Sequence, residues 1–234
     1  MLPLKDNVPT RHFPVMTVGL IVANVLVYFL FQEGGLVAAE GPVREYAFQP
    51  CEVNDSCPVQ GEDWPVTSFT SMFMHGDITH LGGNMLFLWI FGNNVEDSMG
   101  RVKFVLFYVL GGLVADAAQI AIGPNGTVPT IGASGAVAGV LGGYLLLFPR
   151  ARVVTVVFII FFFTILELPA ILFLGVWIVQ QALFAYFDLL QPSSDGGGVA
   201  YFAHIGGFVF GLLLIRAFAS ERRHRRQLER AGMA

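Results

Sequence analysis

Charge is what this chain has least of. Asp, Glu, Lys and Arg make up only 13% of its 234 residues, about half of the ~25% found in a soluble domain. Hydrophobic residues make up 55%, so a water-soluble globule is excluded and a membrane protein is implied. Cysteine is nearly absent: Cys51 and Cys57 are the two in the chain. They exclude a disulfide-rich scaffold, and without neighbouring histidines they fall short of the four ligands of a structural zinc site. One intrachain bridge is possible between them, closing a seven-residue ring in an oxidising compartment; two free thiols in a flexible loop are the alternative. A cleavable leader is not expected, because Pro3, Asp6, Pro9 and Pro14 interrupt the N-terminus and no small-residue cleavage site follows the apolar run. The first hydrophobic segment is therefore expected to stay in the mature protein, with Pro14 in its first turn.

A helix needs roughly 20 mostly apolar residues to cross the hydrocarbon layer. Six segments approach or reach that length: Val15 to Gln32, Ile78 to Val95, Val102 to Ile122, Gly132 to Phe148, Pro169 to Leu190 and Ala200 to Phe218. The expected fold is an all-α polytopic membrane bundle of six spans with a long external first loop. Residues 1–14 form an N-terminal segment, 15–218 the membrane domain and 219–234 a basic tail.

Threading the spans sorts the thirteen basic residues. Lys5, Arg11, Arg101, Lys103, Arg150, Arg152, Arg216, Arg222, Arg223, Arg225, Arg226 and Arg230 share one face, and Arg44 alone lies on the other. Basic residues mark the inner face. The expectation is a multi-pass protein of a bacterial plasma membrane with both termini cytoplasmic.

The stretch from Val153 to Leu168 is apolar enough to compete as a seventh span, which would throw the arginine-rich tail outside. A single helix from Val153 to Leu190 would be about 57 Å long, far beyond the ~30 Å core. The stretch is therefore placed as an interfacial or re-entrant segment on the inner side, ended near Glu167 by Pro169.

Polar groups inside lipid are costly and point to function. His80, Asn84, Asp116, Ser134 and His204 are the residues in question. His80 and Asn84 stand at i, i+4 on one helix face. Ser134 lies in Gly132-Ala133-Ser134-Gly135, behind Pro124, Gly126 and Pro129, and non-helical backbone at that depth must line a cavity or be buried in protein. Gly135, Gly139 and Gly143 form a small-residue stripe, and His204 precedes a second at Gly207 and Gly211. If the two stripes pack together, His204 approaches Ser134. Packing alone explains the glycines, but not the serine.

These patterns resemble the rhomboid family of intramembrane serine proteases over about residues 64 to 215. The resemblance implies Ser134 as nucleophile, His204 as base, and His80 and Asn84 with the Ser134 N–H as donors to the oxyanion. Phe69-Thr70-Ser71-Met72-Phe73-Met74-His75-Gly76 and Gly92-Asn93-Asn94-Val95-Glu96 also look like family motifs. Members often have an arginine near Thr67, and some a tyrosine where this chain has Ala138. The function this implies is a serine endopeptidase using a Ser-His dyad to cleave transmembrane proteins near the external face, with no cofactor, metal or nucleic acid. Asp116 is the rival third member, read first as a structural hydrogen-bonding group. Span five, with Phe173, Trp177, Phe184 and Phe187, is a candidate lateral gate. A catalytically silent binding protein of the same fold and a small transporter are the alternatives; the transporter reading lacks internal repeats.

Overall fold

The computed structural model describes residues 1–58, 62–159, 162–190 and 199–233. A short strand, β1 (Leu2–Asp6), leads to α1 (Val15–Leu26), which continues as a π-helical turn over Val27–Phe31. Next come α2 (Glu40–Tyr46), a 3₁₀ turn at Pro50–Asn54 and α3 (Trp64–Thr70). Helix α4 (Ile78–Phe87) runs through a π-helical turn at Leu88–Gly92 into α5 (Asn93–Met99), followed by α6 (Arg101–Ile122) and α7 (Ser134–Leu147). Strands β2 (Arg152–Ile159) and β3 (Phe162–Pro169) precede α8 (Ala170–Leu190), α9 (Tyr201–Phe218) and α10 (Glu221–Arg230). Helices α6, α8 and α9 are long and apolar enough to cross a membrane; Val15–Phe31 and α7 are shorter apolar helices.

The burial pattern is that of a bundle standing in an apolar solvent. Along α1 the buried side chains are Thr17 and Asn24, whereas Val22 and Leu26 are exposed. Water would penalise that arrangement; lipid favours it, because hydrocarbon is as good a neighbour for Leu as a protein core is. Helix α8 behaves alike. Ala170, Phe173, Leu174, Gln181 and Ala185 form a buried stripe, while Ile171, Val179 and Phe187 face outward.

Glycine sets the centre of the bundle. Helices α6, α7 and α9 meet where a Cβ on Gly207 would overlap the carbonyl of Gly135, and one on Gly211 the carbonyl of Gly139. Gly139 in turn lies against the Gly111 Cα of α6. Backbones this close exclude any side chain and leave van der Waals contact as the cohesive force.

The chain departs from the all-α expectation at its basic end. Strands β1, β2 and β3 form an antiparallel sheet in that order, with Leu2 opposite Val156 and Arg152 opposite Pro169. The physical reason lies in Val153-Val154-Thr155-Val156-Val157, where β-branched side chains favour the pleated backbone. The 153–168 segment is therefore a hairpin; Ile160 and Phe161, at its centre, lie outside the described residues. β1 is tied to the bundle through Asp6, which accepts hydrogen bonds from Tyr144 Oη and, at 2.7 Å, from Asn94 Nδ2. Burial pushes the Asp6 carboxyl up to about 7, against the lowering effect of the Tyr144 hydrogen bond.

Glu96 caps α1 from a neighbouring element. Its carboxylate accepts from the backbone N–H groups of Met16 and Thr17 and from Thr17 Oγ1, at 3.1, 2.8 and 2.8 Å. Those N–H groups would otherwise be orphans of the first turn. At the opposite end of the bundle the segment between α1 and α4 is folded down rather than free. Cys51 is bonded to Cys57, Cys51 N–H donates to Gly126 O, Thr130 N–H donates to Phe48 O, and Thr67 Oγ1 donates to Glu52.

Candidate active site

The site forms where the N-terminal ends of α4, α7 and α9 face one another. Asp77 starts α4 by accepting from the N–H groups of Thr79 and His80, both at 2.8 Å. Hydrogen bonds from the Thr79 hydroxyl and from these N–H groups hold its carboxyl below the usual range. Their structural effect is to fix the first turn, and with it the direction of His80 and of Asn84 one turn on.

Helix α7 starts abruptly at Ser134, and the glycine before it explains how. Gly132 adopts φ +115°, a region that favours glycine. A Cβ there would strike the His80 ring and come within 3.4 Å of Asn84 Nδ2. Its N–H donates to Ser71 O at 2.9 Å, anchoring the loop. The Gly132 backbone is thus packed directly against the His80-Asn84 face, and the Ser134 N–H sits in the first turn, where no intrahelical partner exists.

His204 lies one turn into α9 and is 9% exposed. Its Nε2 is 2.8 Å from Ser134 Oγ. Its Nδ1 is 2.8 Å from Oε1 of Gln181 on α8. With Gln181 accepting from Nδ1–H, Nε2 is left as the acceptor for the serine proton. Trp177 lies with its ring centroid 6.0 Å from that of His204 and tilted by 34°, and Tyr201 approaches edge-on at 6.4 Å. These two rings flank the imidazole where Ala138 supplies none.

A cavity of about 820 Å³ opens beside these groups and is lined by His80, Asn84, Ser134, Trp177, Gln181 and His204 among others. Asn84 Nδ2 is buried without a partner among the described residues. A buried amide donor with nothing to bond is costly, unless a ligand oxygen completes it. Below, His75 packs edge-on against His80, with ring centroids 5.1 Å apart. Burial pushes the His75 imidazole down to about 3, so it is neutral and adds no charge to the site.

Asp116 does not reach His204, both of whose ring nitrogens are engaged by Ser134 and Gln181. It is buried on α6, with Oδ2 unpartnered among the described residues. Of the proposed gate residues, Trp177 and Phe184 line the cavity, Phe173 is in the core, and Phe187 faces outward. The motif residues Asn94 and Glu96 hold β1 and α1 rather than the site. Gln181 is the residue that the sequence reading missed. Its signal was available: it is a polar side chain in an apolar span, one turn from Trp177.

The chain is similar to several known proteins. It is 31% identical to the Saccharomyces cerevisiae protein "Rhomboid protein 1, mitochondrial" over 172 residues, 69% of this chain and 45% of that protein. It is 35% identical to "Rhomboid protease GluP" of Bacillus subtilis over 133 residues, 56% of this chain and 24% of that one. With the mouse "Presenilin-associated rhomboid-like protein, mitochondrial" it shares 27% identity over 150 residues, 62% of this chain and 36% of the relative. The chain thus aligns to less than half the length of each. The mitochondrial yeast and mouse relatives overturn the expectation of a bacterial plasma membrane, and the cytoplasmic label on the termini falls with it. The physical reason is that charge asymmetry orders the two faces of a membrane without naming the membrane. The Rhomboid domain model matches residues 62–221, which contain Ser134, His204, His80, Asn84 and the paired glycine stripes described above, and the chain belongs to the rhomboid family.

Proposed function

We propose that this chain is an intramembrane serine endopeptidase acting through Ser134 and His204 on transmembrane segments of other proteins. The observation that carries the reading is the 2.8 Å contact between His204 Nε2 and Ser134 Oγ at the wall of a cavity that also holds an amide donor without a partner among the described residues. A serine hydroxyl is a weak nucleophile until a base takes its proton. His204 takes that proton at Nε2 as Oγ attacks the scissile carbonyl. The imidazolium then protonates the leaving amine, and the same base activates the water that hydrolyses the acyl-enzyme.

The tetrahedral oxyanion is placed against Asn84 Nδ2, the His80 ring and the Ser134 N–H. A donor that waits unpaired costs no reorganisation at the moment of reaction. Gln181 acts as a positioning residue: as a neutral acceptor it holds the imidazole in the tautomer that leaves Nε2 free.

Six spans fit this reading, with both termini on the basic face and the cavity on the other. A transmembrane substrate enters between α8 and the bundle, and its helix unwinds locally so that a carbonyl can reach Ser134. Small or helix-breaking residues in the substrate favour that step. A silent binding protein would have no use for a serine held to a base, and that contact favours the protease over it.

The test is cleavage of a model transmembrane substrate in liposomes by the wild-type chain and by Ser134→Ala, with thermal stability followed in parallel. Loss of cleavage in a stable Ser134→Ala supports the reading. Undiminished cleavage contradicts it.

A further inference from the structure

The basic end of the bundle carries a second, unrelated cavity. It measures about 450 Å³ and is lined by Arg11, Arg222, Arg223, Arg226 and Arg230, with Asp97 as the carboxylate among its lining residues. Helix α10 is rigidly placed there. Gln227 is buried and donates to Asn94 O at 3.1 Å, and His224 Nε2 bonds Leu147 O at 2.9 Å. With that face fixed, Arg222, Arg226 and Arg230 recur at i, i+4 and i+8 and share another face. The Arg223 guanidinium lies over Gly100. Arg11 is brought in from the opposite side, its backbone N–H donating to Asp97 Oδ2 at 2.8 Å.

The pairing of these charges is uneven. Arg225, which does not line the cavity, pairs with Glu229 at 3.2 Å. Among the described residues none of the five lining arginines forms an ion pair. Asp97 is itself occupied by His12 and the Arg11 backbone. Five guanidinium groups around one hollow repel one another unless an anion sits between them, and guanidinium geometry suits phosphate oxygens two at a time.

Depth and neighbours decide which anion. The cavity lies where α1 and α6 begin and α9 ends, the level of the lipid headgroups. A second hollow of about 340 Å³ adjoins it, shares His12, Asp97 and Arg223, and is walled by Phe13, Pro14 and Val102. Phe13 and Val102 are 67% and 75% exposed, an apolar track leading from the arginines toward the hydrocarbon. Free phosphate would use the arginines and leave this track bare; a phospholipid uses both. We propose that the arginine cavity binds the phosphate headgroup of an anionic phospholipid, whose acyl chain lies along Phe13 and Val102. This site stands apart from the Ser134 chemistry, so its test reads lipid and not proteolysis.

The full chain, purified in detergent, is mixed with equal amounts of phosphatidylglycerol and phosphatidylcholine, and retained lipid is counted by native mass spectrometry. Phosphatidylglycerol is expected to be retained selectively. The variant R222Q/R226Q/R230Q should hold it about a hundredfold more weakly. R150Q/R152Q/R225Q removes the same number of charges from the same face outside the cavity and should hold it as the wild type does. Arg226→Gln alone should weaken retention several-fold, and it carries the test if the triple variant does not fold. Equal losses in the two triple variants, or equal retention of phosphatidylcholine, would overturn the site. Thermal stabilisation by inorganic phosphate equal to that by phosphatidylglycerol would overturn the lipid as its ligand.

Discussion

Gln181 Oε1 lies 2.8 Å from His204 Nδ1, so the imidazole is oriented by a neutral amide on α8, the helix beside which substrate is proposed to enter. Where a Ser-His-Asp triad places a carboxylate behind the base, this chain places an acceptor without charge beside His204. It fixes the tautomer and adds no second ion to a water-poor site.

Gln181→Leu removes that acceptor and should lower kcat by about a hundredfold, the lower end of the usual size of general-base effects, while KM stays near the wild-type value. Gln181→Glu keeps an acceptor at the same place and should restore most of the loss. Steady-state kinetics on a model transmembrane substrate separates this from simple destabilisation, which would not be rescued by the glutamate.

Asn84→Ala deletes the unpartnered donor, and a loss of about a hundred- to a thousand-fold in kcat is expected for one oxyanion donor. His80→Ala should be milder, because the Ser134 N–H and Asn84 remain, and the double variant should fall short of the product of the two losses. Asp116→Asn should retain most activity. A dead but stable Asp116→Asn, measured in the same assay, would make the aspartate part of the machinery and count against the dyad.

Gly207→Val places a branched side chain into the Gly135 carbonyl. Overpacking of this kind costs about 1–3 kcal/mol, and it separates α9 from α7 so that His204 draws away from Ser134. Both the melting temperature and the cleavage rate should drop. Gly82→Ala, where a Cβ meets nothing within 4 Å, should change neither.

The N-terminal strand gives a pH dependence at the basic end. The Asp6 carboxyl sits at about 7 in the folded chain against an ordinary 3.8, so the folded state binds the proton more tightly than the unfolded one. The resulting stability is complete below about pH 4 and is lost as pH rises through 7. Asp6→Asn keeps an acceptor for Tyr144 and Asn94 but carries no charge. It should flatten the fall in melting temperature between pH 5 and 8; a wild-type curve already flat over that range would contradict the assignment.

The sequence exposes whatever depends on local pattern or on chemistry out of place. Ser134, His204, His80 and Asn84 could be singled out because each is polar where lipid should be, and the two glycine stripes told which helices can approach closely enough to bring a histidine to a serine. Gln181 belongs to the same class, a polar side chain in an apolar span, but no motif and no glycine stripe marks its position. The sheet was hidden for a different reason. Strand β2 and its hairpin partner β3 look like one apolar run, and the other partner of β2, β1, lies about 150 residues away at the N-terminus, tied down by Asp6 through Tyr144 and Asn94. Long-range pairing of that kind leaves no periodic trace. Glu96 is similar, since its capping of α1 joins residues 79 and 80 positions apart.

The central claim is that His204 makes Ser134 a nucleophile, and covalent labelling tests it most directly. The full chain is treated with a fluorophosphonate and the modified peptide is mapped by mass spectrometry. The account predicts a single adduct on Ser134 in the wild type and at least a hundredfold slower labelling in a folded His204→Ala. A folded wild-type chain that takes up no probe, or one labelled equally fast without His204, would contradict it.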